Sequence, residues 1–350
     1  MSRDHRATFS LKVTPNPFLL KGQEGPEVIH NQSVIRVGFV GAGRLGRVHA
    51  RHLMRLPEVS VAAFDVVPAS AESFASEVGG SSFSSFDELL ENSDAVAVVT
   101  PSDLHADYAV AALNAGKHVF IEKPVTLSTA EALPISIAAL AGPKLVCTVG
   151  QVLRWFPMYR RAHELVKAGE IGLPAALRMS RGGGLPGAGR AWFEDHSKSG
   201  GVFIDLAVHD FDFLLWTFGP VTEVVARSVG AKTGSGVDYG LATLTFANGA
   251  VGHVESTWMD AEDPGMSFEF CGSGGMLEWN SRTSGTVRGM GRVDGHFMPD
   301  DDPFFGQMKE FVTAIREGRP AAVSLADGVA ALRVAEAALE SARSGLRVSL

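Results

Sequence analysis

Lys123 stands where the sequence could place a reactive side chain at the end of a β-strand. It is the middle residue of Glu122-Lys123-Pro124, directly after the apolar run His118-Val119-Phe120-Ile121. In an open parallel sheet, ligands bind outside the carboxyl ends of the strands, so a lysine there can reach a ligand whose phosphates rest on an earlier strand-to-helix turn. Its ammonium could stabilise negative charge on a reacting oxygen. Taken alone, a strand-end lysine is equally well an ordinary surface charge.

A second pair of residues with chemical potential is Asp205 and His209, which lie four positions apart in the segment Gly200 to Asp210. On a helix their side chains would be neighbours on one face, which Asp212 and Trp216 extend. A carboxylate beside an imidazole raises the imidazole's basicity and fixes which ring nitrogen faces outward, an arrangement that suits acid/base work at a substrate hydroxyl. The alternative is a helix-start aspartate beside a surface histidine, and the spacing does not decide between them.

A glycine loop, Gly41-Ala42-Gly43-Arg44-Leu45-Gly46, follows a predicted strand and opens a predicted helix. Its glycines would let the backbone approach a pyrophosphate and let the helix pack closely on the strand, with Arg44 and Leu45 beside the ligand. Asp65, at the end of the next predicted strand, would bond the ribose hydroxyls of adenosine. Because a carboxylate there repels a 2′-phosphate, the sequence predicts NAD as the cofactor and makes NADP the weaker candidate. The alternative is a plain turn with a strand-end aspartate.

Further candidate cofactor contacts lie at the same sheet edge. Thr100 and Pro101 follow the third well-defined predicted strand, and Ser102 after them is predicted to cap the next helix. Glu122 follows a later strand and is a candidate for the same reason. His105 falls in the first turn of the helix after Ser102, where a packing or capping role explains it as well as a cofactor contact does.

Arg154 and Trp192 are candidate substrate contacts in the second half of the chain. Arg154 could bind substrate or could brace the junction between two domains. Arg190 and Trp192 flank the glycine-rich loop Gly182 to Arg190 and could form a lid over the substrate, with an exposed loop as the alternative.

Two groups of residues superficially suggest metal ligands. His49 and His52 lie three apart on the first predicted helix, but packing and solvation explain them better because no third ligand of suitable spacing accompanies them. The run Asp300-Asp301-Asp302 is most simply a solvated acidic turn with a helix N-cap. The sequence therefore predicts no metal site.

The hydrophobic pattern from Val34 to about Gly150 predicts the scaffold that would position these residues. Short β-branched runs alternate with amphipathic segments, which is typical of βαβ units around a parallel sheet buried on both faces. The predicted strands are Val34 to Val40, Val59 to Asp65, Ala95 to Thr100, Lys117 to Ile121 and Leu145 to Val149. The predicted helices are Arg44 to Leu56, Ala69 to Val78, Leu104 to Ala115 and Thr129 to Leu140. This pattern predicts a dinucleotide-binding Rossmann domain over residues 34–150.

Residues 151–350 have a different texture, with strand-like runs separated by turn signals such as Asn248-Gly249. The predicted strands are Ala175 to Arg181, Val221 to Val229, Tyr239 to Phe246, Val251 to Trp258, Ser267 to Phe270 and Met276 to Trp279, and the predicted helices are Pro157 to Ala168, Gly200 to Phe218, Pro303 to Glu317 and Leu325 to Ser344. We expect an antiparallel meander with helices on one face, forming an α+β domain for substrate binding and oligomerisation. The last helix could pack back on the first domain. Residues 1–33 are predicted to be a flexible tail, with an inter-subunit arm as the alternative.

Composition narrows the class of partner. The chain has 350 residues, of which 45% are hydrophobic and 20% charged, as in ordinary globular proteins. A formal net charge of -8 and the absence of a concentrated Lys/Arg block argue against a nucleic-acid groove or a polybasic membrane patch, so a small molecule is the expected partner. The two cysteines, Cys147 and Cys271, fit a reducing compartment, and no signal peptide or membrane span is recognisable. The expected location is the cytoplasm.

Three motifs together resemble the glucose-fructose oxidoreductase and inositol dehydrogenase superfamily (Gfo/Idh/MocA). They are the glycine loop Gly41 to Gly46, the run Thr100-Pro101-Ser102-Asp103-Leu104-His105 and the run Ala115-Gly116-Lys117-His118-Val119-Phe120-Ile121-Glu122-Lys123-Pro124. The stretch Gly200 to Asp210 looks like the catalytic segment of that family's second domain. Within the family, Gly150 to Phe156 is most similar to inositol 2-dehydrogenases. The N-terminal tail and the loop Gly182 to Gly189 depart from the family pattern.

The resemblance implies a Rossmann domain joined to an open-faced, mostly antiparallel sheet that often mediates dimers or tetramers. It implies that Lys123, Asp205 and His209 are the catalytic set. The predicted activity is NAD-dependent oxidation of a secondary alcohol on a cyclic polyol or sugar, with an inositol-type substrate favoured. His209 would take the hydroxyl proton, Asp205 would orient His209, and Lys123 would stabilise the charge on the same oxygen. Two alternatives stay open: an NAD-dependent redox-neutral glycosidase, and a non-catalytic, NAD-responsive regulatory protein.

Overall fold

The computed structural model describes residues 33–184, 192, 195–230, 238–259, 265–283, 287–289, 292–294 and 302–350. The predicted N-terminal tail and the glycine-rich loop Gly182 to Arg190 fall largely outside the described residues. Among the described helices, none combines the length and the apolar character needed to cross a membrane.

The first part of the described chain forms a parallel sheet with helices between its strands. The strands are β1 (Ile35–Val40), β2 (Val59–Phe64), β3 (Ser81–Ser82), β4 (Ala95–Val98), β5 (His118–Ile121) and β6 (Cys147–Val149). The helices are α1 (Arg44–Leu53), α2 (Pro68–Val78), α3 (Phe86–Glu91), α4 (His105–Asn114) and α5 (Thr129–Ala141). The strand order is β3-β2-β1-β4-β5-β6, the doubly wound order of a dinucleotide-binding fold. The predicted parallel sheet is therefore confirmed.

The register of the parallel strands brings their carboxyl ends to one level. Val40 pairs with both Phe64 and Val98, Val98 pairs with Ile121, and Ile121 pairs with Val149. The residues that come next on each strand therefore emerge at the same edge of the sheet. The chain reverses its strand order at β1 and β4, so this edge contains the crevice in which ligands of such sheets bind.

Two elements and one cap in this part differ from the sequence prediction. The strand β3 and the helix α3 were not predicted, because two serines and a six-residue helix carry too little hydrophobic periodicity to detect. The helix α3 is stabilised at its start by the Ser85 side chain, which accepts the Glu88 N–H. Ser102, which was predicted to cap a helix, instead begins a 3-10 turn, Ser102–Leu104, so that this prediction is wrong.

The second sheet contains nine described strands, most of them antiparallel. They are β7 (Pro174–Gly182), β8 (Val221–Val229), β9 (Tyr239–Phe246), β10 (Val251–Thr257), β11 (Gly265–Gly272), β12 (Gly275–Asn280), β13 (Val287–Gly289), β14 (Arg292–Asp294) and β15 (Val348–Ser349), in the order β14-β13-β12-β11-β7-β10-β9-β8-β15. The accompanying helices are α6 (Pro157–Lys167), α7 (His196–Ser199), α8 (Val208–Phe218), α9 (Pro303–Glu317) and α10 (Leu325–Ser344). The pair β7 and β10 is parallel.

One face of the second sheet is packed and the other is open. Ala226 and Ala242 are buried, whereas their neighbours Val225 and Leu241 are 40% and 39% exposed. Such alternation along a strand is typical of a sheet with one covered face. The predicted open-faced, mostly antiparallel sheet is confirmed.

The last two long helices return to the first sheet. Met308 and Phe311 of α9 join a buried cluster that contains Phe39 and Phe120, with the rings of Phe120 and Phe311 5.9 Å apart. In α10, Gly328 lies so close to β6 that an added Cβ would come within 2.6 Å of the Val149 side chain. Both helices therefore pack against the parallel sheet although they belong to the C-terminal part of the sequence.

Candidate active site

The three glycines of the loop after β1 occupy three different environments. Gly41 has φ +99°, and a Cβ on it would lie 2.6 Å from the Val99 carbonyl oxygen. A Cβ on Gly46 would lie 2.5 Å from the Gly41 oxygen, which explains how α1 packs so closely on the loop. By contrast, a Cβ on Gly43 would meet no protein atom within 4 Å. These environments match a tight turn, a close helix packing and an open approach to a pyrophosphate, so the loop fits a dinucleotide.

Asp65 is held rigidly beside this loop. Its Oδ2 accepts the Ala42 N–H at 2.8 Å and its Oδ1 accepts the Val67 N–H at 2.9 Å. Each carboxylate oxygen still has lone pairs that a ribose hydroxyl could use. The carboxylate therefore has a fixed position at the end of β2, one strand away from the glycine loop.

A cavity of about 770 Å³ brings most of the predicted site residues together. Its size is that of a pocket for a small ligand or cofactor. The predicted residues that line it are Gly41, Gly43, Arg44, Leu45, Asp65, Thr100, Pro101, Glu122, Lys123, Trp192 and Asp205. Gly46, Arg154 and His209 are not among its lining residues.

Lys123 reaches across this cavity to the second half of the chain. Its Nζ donates to the backbone oxygen of Asp205 at 2.6 Å and to the Asp205 Oδ1 at 3.0 Å. The two side chains are 15% and 9% exposed. Lys123 and Asp205, two members of the predicted catalytic set, thus form a largely dehydrated ion pair, in which the attraction is stronger than it would be in water.

The predicted pairing of Asp205 with His209 is replaced by the pairing with Lys123. In the described residues no hydrogen bond joins Asp205 to His209, and the His209 Nδ1 has no partner. The Asp205 carboxylate is taken instead by the Lys123 ammonium. The backbone also differs from the prediction, because Phe203–Ala207 form a π-helical turn before α8 starts, instead of the single predicted helix from Gly200. Such turns recur at functional sites.

His209 is nevertheless half-buried near two cations, Lys123 and Arg181. Burial, followed by the charges of Lys123 and Arg181, lowers the pKa of His209 well below its ordinary value. Arg181 is itself held by Asp210, with its Nε and Nη2 donating at 2.9 and 2.8 Å. His209 is therefore a neutral imidazole at physiological pH, and its basicity is lowered, whereas the sequence predicted that a neighbouring carboxylate would raise it.

Arg154 braces the fold. Its Nε and Nη2 donate to the two Asp212 carboxylate oxygens at 2.8 and 2.6 Å, and Asp327 lies 3.1 Å from the same guanidinium. Since its charge is already paired and it does not line the cavity, the structure favours the bracing alternative over substrate binding. Trp216, predicted to share a face with Asp205, instead stacks on His163 with ring centroids 3.5 Å apart.

Trp192 lines the cavity, which is compatible with its predicted role near the substrate. Arg190, its predicted partner in the lid, lies outside the described residues. No group of three or more His, Cys, Asp or Glu side chains within the described ranges is arranged to hold a metal ion.

Two buried histidines, His49 and His105, lie beside the predicted site residues. The His49 Nε2 lies 2.6 Å from the Glu122 Oε1, and His105 lines the cavity. The sequence assigned His49 to packing and solvation because no third metal ligand of suitable spacing accompanies it, and its partner Glu122 lies 73 positions away, beyond the reach of any local pattern. His105 was left open between a packing or capping role and a cofactor contact, and its place in the cavity lining is compatible with the cofactor contact.

Comparison with families of known proteins agrees with this architecture. The family described as oxidoreductase family, NAD-binding Rossmann fold (GFO/IDH/MocA) matches residues 35–151. The GFO/IDH/MocA C-terminal domain matches residues 159–278. The two matches together cover the parallel sheet and the second sheet from β7 into β12.

Individual relatives extend the similarity over nearly the whole chain. The scyllo-inositol 2-dehydrogenase (NAD(+)) of Bacillus subtilis (strain 168) is 30% identical over 335 residues, covering 90% of this chain and 96% of that protein. The UDP-N-acetylglucosamine 3-dehydrogenase of Acidithiobacillus ferrooxidans is 31% identical over 319 residues, covering 87% and 96%. The solved structure of GenD2 from gentamicin A biosynthesis, in complex with NAD, has a TM-score of 0.81 at 26% identity and covers 93% and 99% of the two chains. The chain therefore belongs to the Gfo/Idh/MocA oxidoreductase family, which has an NAD-binding Rossmann fold.

Proposed function

We propose that this protein is an NAD-dependent dehydrogenase that oxidises a secondary alcohol of a cyclic polyol or sugar. The observation that carries the proposal is the position of the Lys123 amine, which Asp205 holds in the same cavity that the glycine loop and Asp65 line. A cation fixed inside a cofactor cavity suits a reaction in which an alcohol oxygen becomes more negative.

The chain's own residues account for binding the cofactor and for handling the proton. Gly41, Gly43 and Gly46 would receive the pyrophosphate at the start of α1, and Asp65 would bond the adenosine ribose. When bound, NAD supplies the two-electron acceptor for alcohol oxidation. We also propose that NAD is preferred over NADP, because the fixed Asp65 carboxylate would repel a 2′-phosphate.

The catalytic roles follow from charge and burial. Lys123 would donate a hydrogen bond to the alcohol oxygen and stabilise the negative charge that develops on it. His209, whose pKa burial and neighbouring cations lower, would take the hydroxyl proton as a neutral base. Asp205 would hold the Lys123 ammonium, a role that replaces the predicted orientation of His209.

An inositol-type substrate is our preferred candidate. The Bacillus subtilis relative carries the name of an inositol dehydrogenase, which supports this choice. A relative of similar identity is named for a nucleotide sugar, so identity alone does not select the ring. Trp192, Lys123 and Asp205 line the cavity and are the proposed substrate contacts together with His209.

The test is a screen in which NAD or NADP is offered with inositols, aldoses and sugar acids. Formation of the reduced cofactor is measured by its absorbance. We expect turnover with NAD that is lost in Lys123→Met, an unbranched side chain of similar length without the charge. Turnover of chromogenic glycosides at catalytic NAD without net reduction would instead identify a redox-neutral glycosidase. NAD binding with no turnover of either substrate class would indicate a regulatory protein.

We propose residues 34–150 and 151–350 as the two domains, after a tail of residues 1–33. We propose a homodimer or homotetramer, formed through the open face of the second sheet. The cytoplasm is the proposed location.

A further inference from the structure

Two buried histidines flank the segment Glu122-Lys123-Pro124, one on each side of the lysine. His49 comes from α1 and His105 from α4, and their exposed fractions are 0% and 1%. Neither residue has a part in the roles described above. Both have ring nitrogens directed at groups that adjoin Lys123 in the chain.

On the N-terminal side, the contact runs through a carboxylate. The His49 Nε2 lies 2.6 Å from the Glu122 Oε1, and the other oxygen, Oε2, accepts the Lys123 N–H at 2.9 Å. The His49 Nδ1 has no partner among the described residues, so Nε2 is the ring nitrogen through which this histidine acts. Glu122 is 6% exposed, so a carboxylate there depends on such partners.

On the C-terminal side, the contact is to the backbone. The His105 Nδ1 lies 2.8 Å from the Pro124 oxygen, and its Nε2 lies 3.0 Å from the Thr100 oxygen. Thr100 lies in the loop that follows β4, the strand next to β5, and it lines the cofactor cavity. One imidazole therefore lies between the lysine segment and the loop beside it. Burial lowers the pKa of His105, and a neutral ring carries a single N–H, so the ring donates to one of these two oxygens at a time.

We propose that His49 and His105 are positioning residues, which fix the backbone on both sides of Lys123 so that its amine meets Asp205 and the substrate oxygen. The proposal rests on the proposed function of Lys123. It has a clear physical basis, because a lysine side chain is long and flexible, and its terminal position is defined only if its Cα is held. A displacement of about 1 Å at a reacting group can cost roughly 10²-fold in rate.

If His49 and His105 only stabilised the fold, their loss would lower the Tm without a specific effect on Lys123. His118 provides a control for this alternative. His118 also lies on the parallel sheet, where its Nδ1 accepts the Val146 N–H at 2.9 Å. It begins β5, whereas Lys123 follows the end of that strand. His118→Leu removes a histidine hydrogen bond from the same sheet without touching the lysine segment.

The test compares His49→Leu and His105→Leu with the His118→Leu control. Two rescue variants replace one nitrogen each: His49→Gln carries an amide nitrogen near the position of Nε2, and His105→Asn carries one near Nδ1. We expect both leucine variants to lower kcat by about tenfold or more, while the KM for NAD changes by less than about threefold. The rescue variants should recover most of kcat, and His118→Leu should keep the wild-type kcat even if its Tm falls.

A second measurement needs no substrate and so separates this inference from the proposed function. The rate at which a lysine-directed acylating reagent modifies Lys123 is followed by mass spectrometry of its peptide. We expect modification to be faster by about fivefold in His49→Leu and His105→Leu, because the amine is no longer held on Asp205, and unchanged in His118→Leu. Thermal unfolding shows whether the two leucine variants are folded. If both are folded and Lys123 is modified at the wild-type rate in both, the proposal is overturned, whether or not a substrate is found.

Discussion

The amine of Lys123 lies 2.6 Å from the backbone oxygen of Asp205 and 3.0 Å from its carboxylate. The two residues are 82 positions apart in the sequence. Lys123 follows the end of β5 in the parallel sheet, and Asp205 lies in a π turn before α8. Asp205 thus offers the lysine both a charge and a backbone acceptor. The two contributions can be separated by mutation.

Asp205→Asn removes the charge and keeps both the backbone oxygen and a side-chain oxygen. We expect kcat to fall by about tenfold with little change in NAD affinity, because the Lys123 ammonium loses its counter-charge but not its location. Initial rates at saturating NAD and a titration of NADH fluorescence measure the two effects. Asp103→Asn, at an exposed position, is the control, and a similar loss of kcat in both variants would refute the assigned role of Asp205.

His209 is expected to set the acidic limb of the pH profile. Its pKa is lowered by burial, and then by Lys123 and Arg181, so the neutral base is present above the lowered pKa and is lost only as the pH falls through it. The profile of kcat/KM should therefore stay level as the pH passes down through about 6.5, the ordinary histidine value, and decline only when the pH falls through the lowered pKa of His209. His209→Ala should cut turnover by roughly 10²-fold and leave NAD binding nearly intact. Unchanged turnover in this variant would remove His209 from the mechanism.

Gly43 and Gly46 provide a matched pair for the cofactor loop. Gly43 has φ -73°, and a Cβ there would meet no protein atom within 4 Å, so Gly43→Ala should fold normally. It should weaken NAD binding by about tenfold, because the methyl group occupies the approach of the pyrophosphate. Gly46→Ala places a Cβ 2.5 Å from the Gly41 oxygen and should instead lower the free energy of unfolding by about 1–3 kcal/mol. Calorimetric titration and thermal unfolding distinguish them, and a stable Gly43→Ala with wild-type affinity would contradict the placement of the cofactor.

Arg154→Met tests whether this arginine braces the fold. Removing it leaves Asp212 buried without its main partner, and burial already raises the pKa of Asp212 to about 6 although Arg154 opposes that shift. We expect a loss of about 3–5 kcal/mol in the free energy of unfolding. Chemical denaturation measures this loss. At a temperature where the variant remains folded, the KM for the polyol should be unchanged, and a large rise in KM with normal stability would restore the role in substrate binding.

The parallel sheet and its cofactor edge could be predicted from sequence because their rules are local. Buried β-branched runs mark the strands, and every carboxyl end in a parallel sheet meets the same edge. Gly41 and Asp65 were therefore located together from patterns alone. The same argument placed Lys123 at that edge.

The pairings across the cleft could not be predicted in the same way. Asp205 and His209 were paired because they lie four apart on a predicted helix, but the Asp205 carboxylate contacts Lys123, 82 positions away in the sequence. Arg154 finds Asp212 58 positions away, and no periodicity connects them. Such partners are chosen by the packing of distant elements, which a single sequence does not display.

The return of α9 to the first sheet bears on how the molecule unfolds. The buried cluster of Phe39 and Phe120 includes α9 residues that follow every strand of the second sheet except β15, so the nucleotide-binding half completes its core only after synthesis has passed residue 314. We expect one cooperative calorimetric transition for the protein rather than two. A fragment ending at residue 150 should bind a dye that reports exposed apolar surface, and a fragment that melts sharply without binding it would refute this expectation. The two proposed domains therefore differ in function, but we do not expect the first one to fold when it is separated from the second.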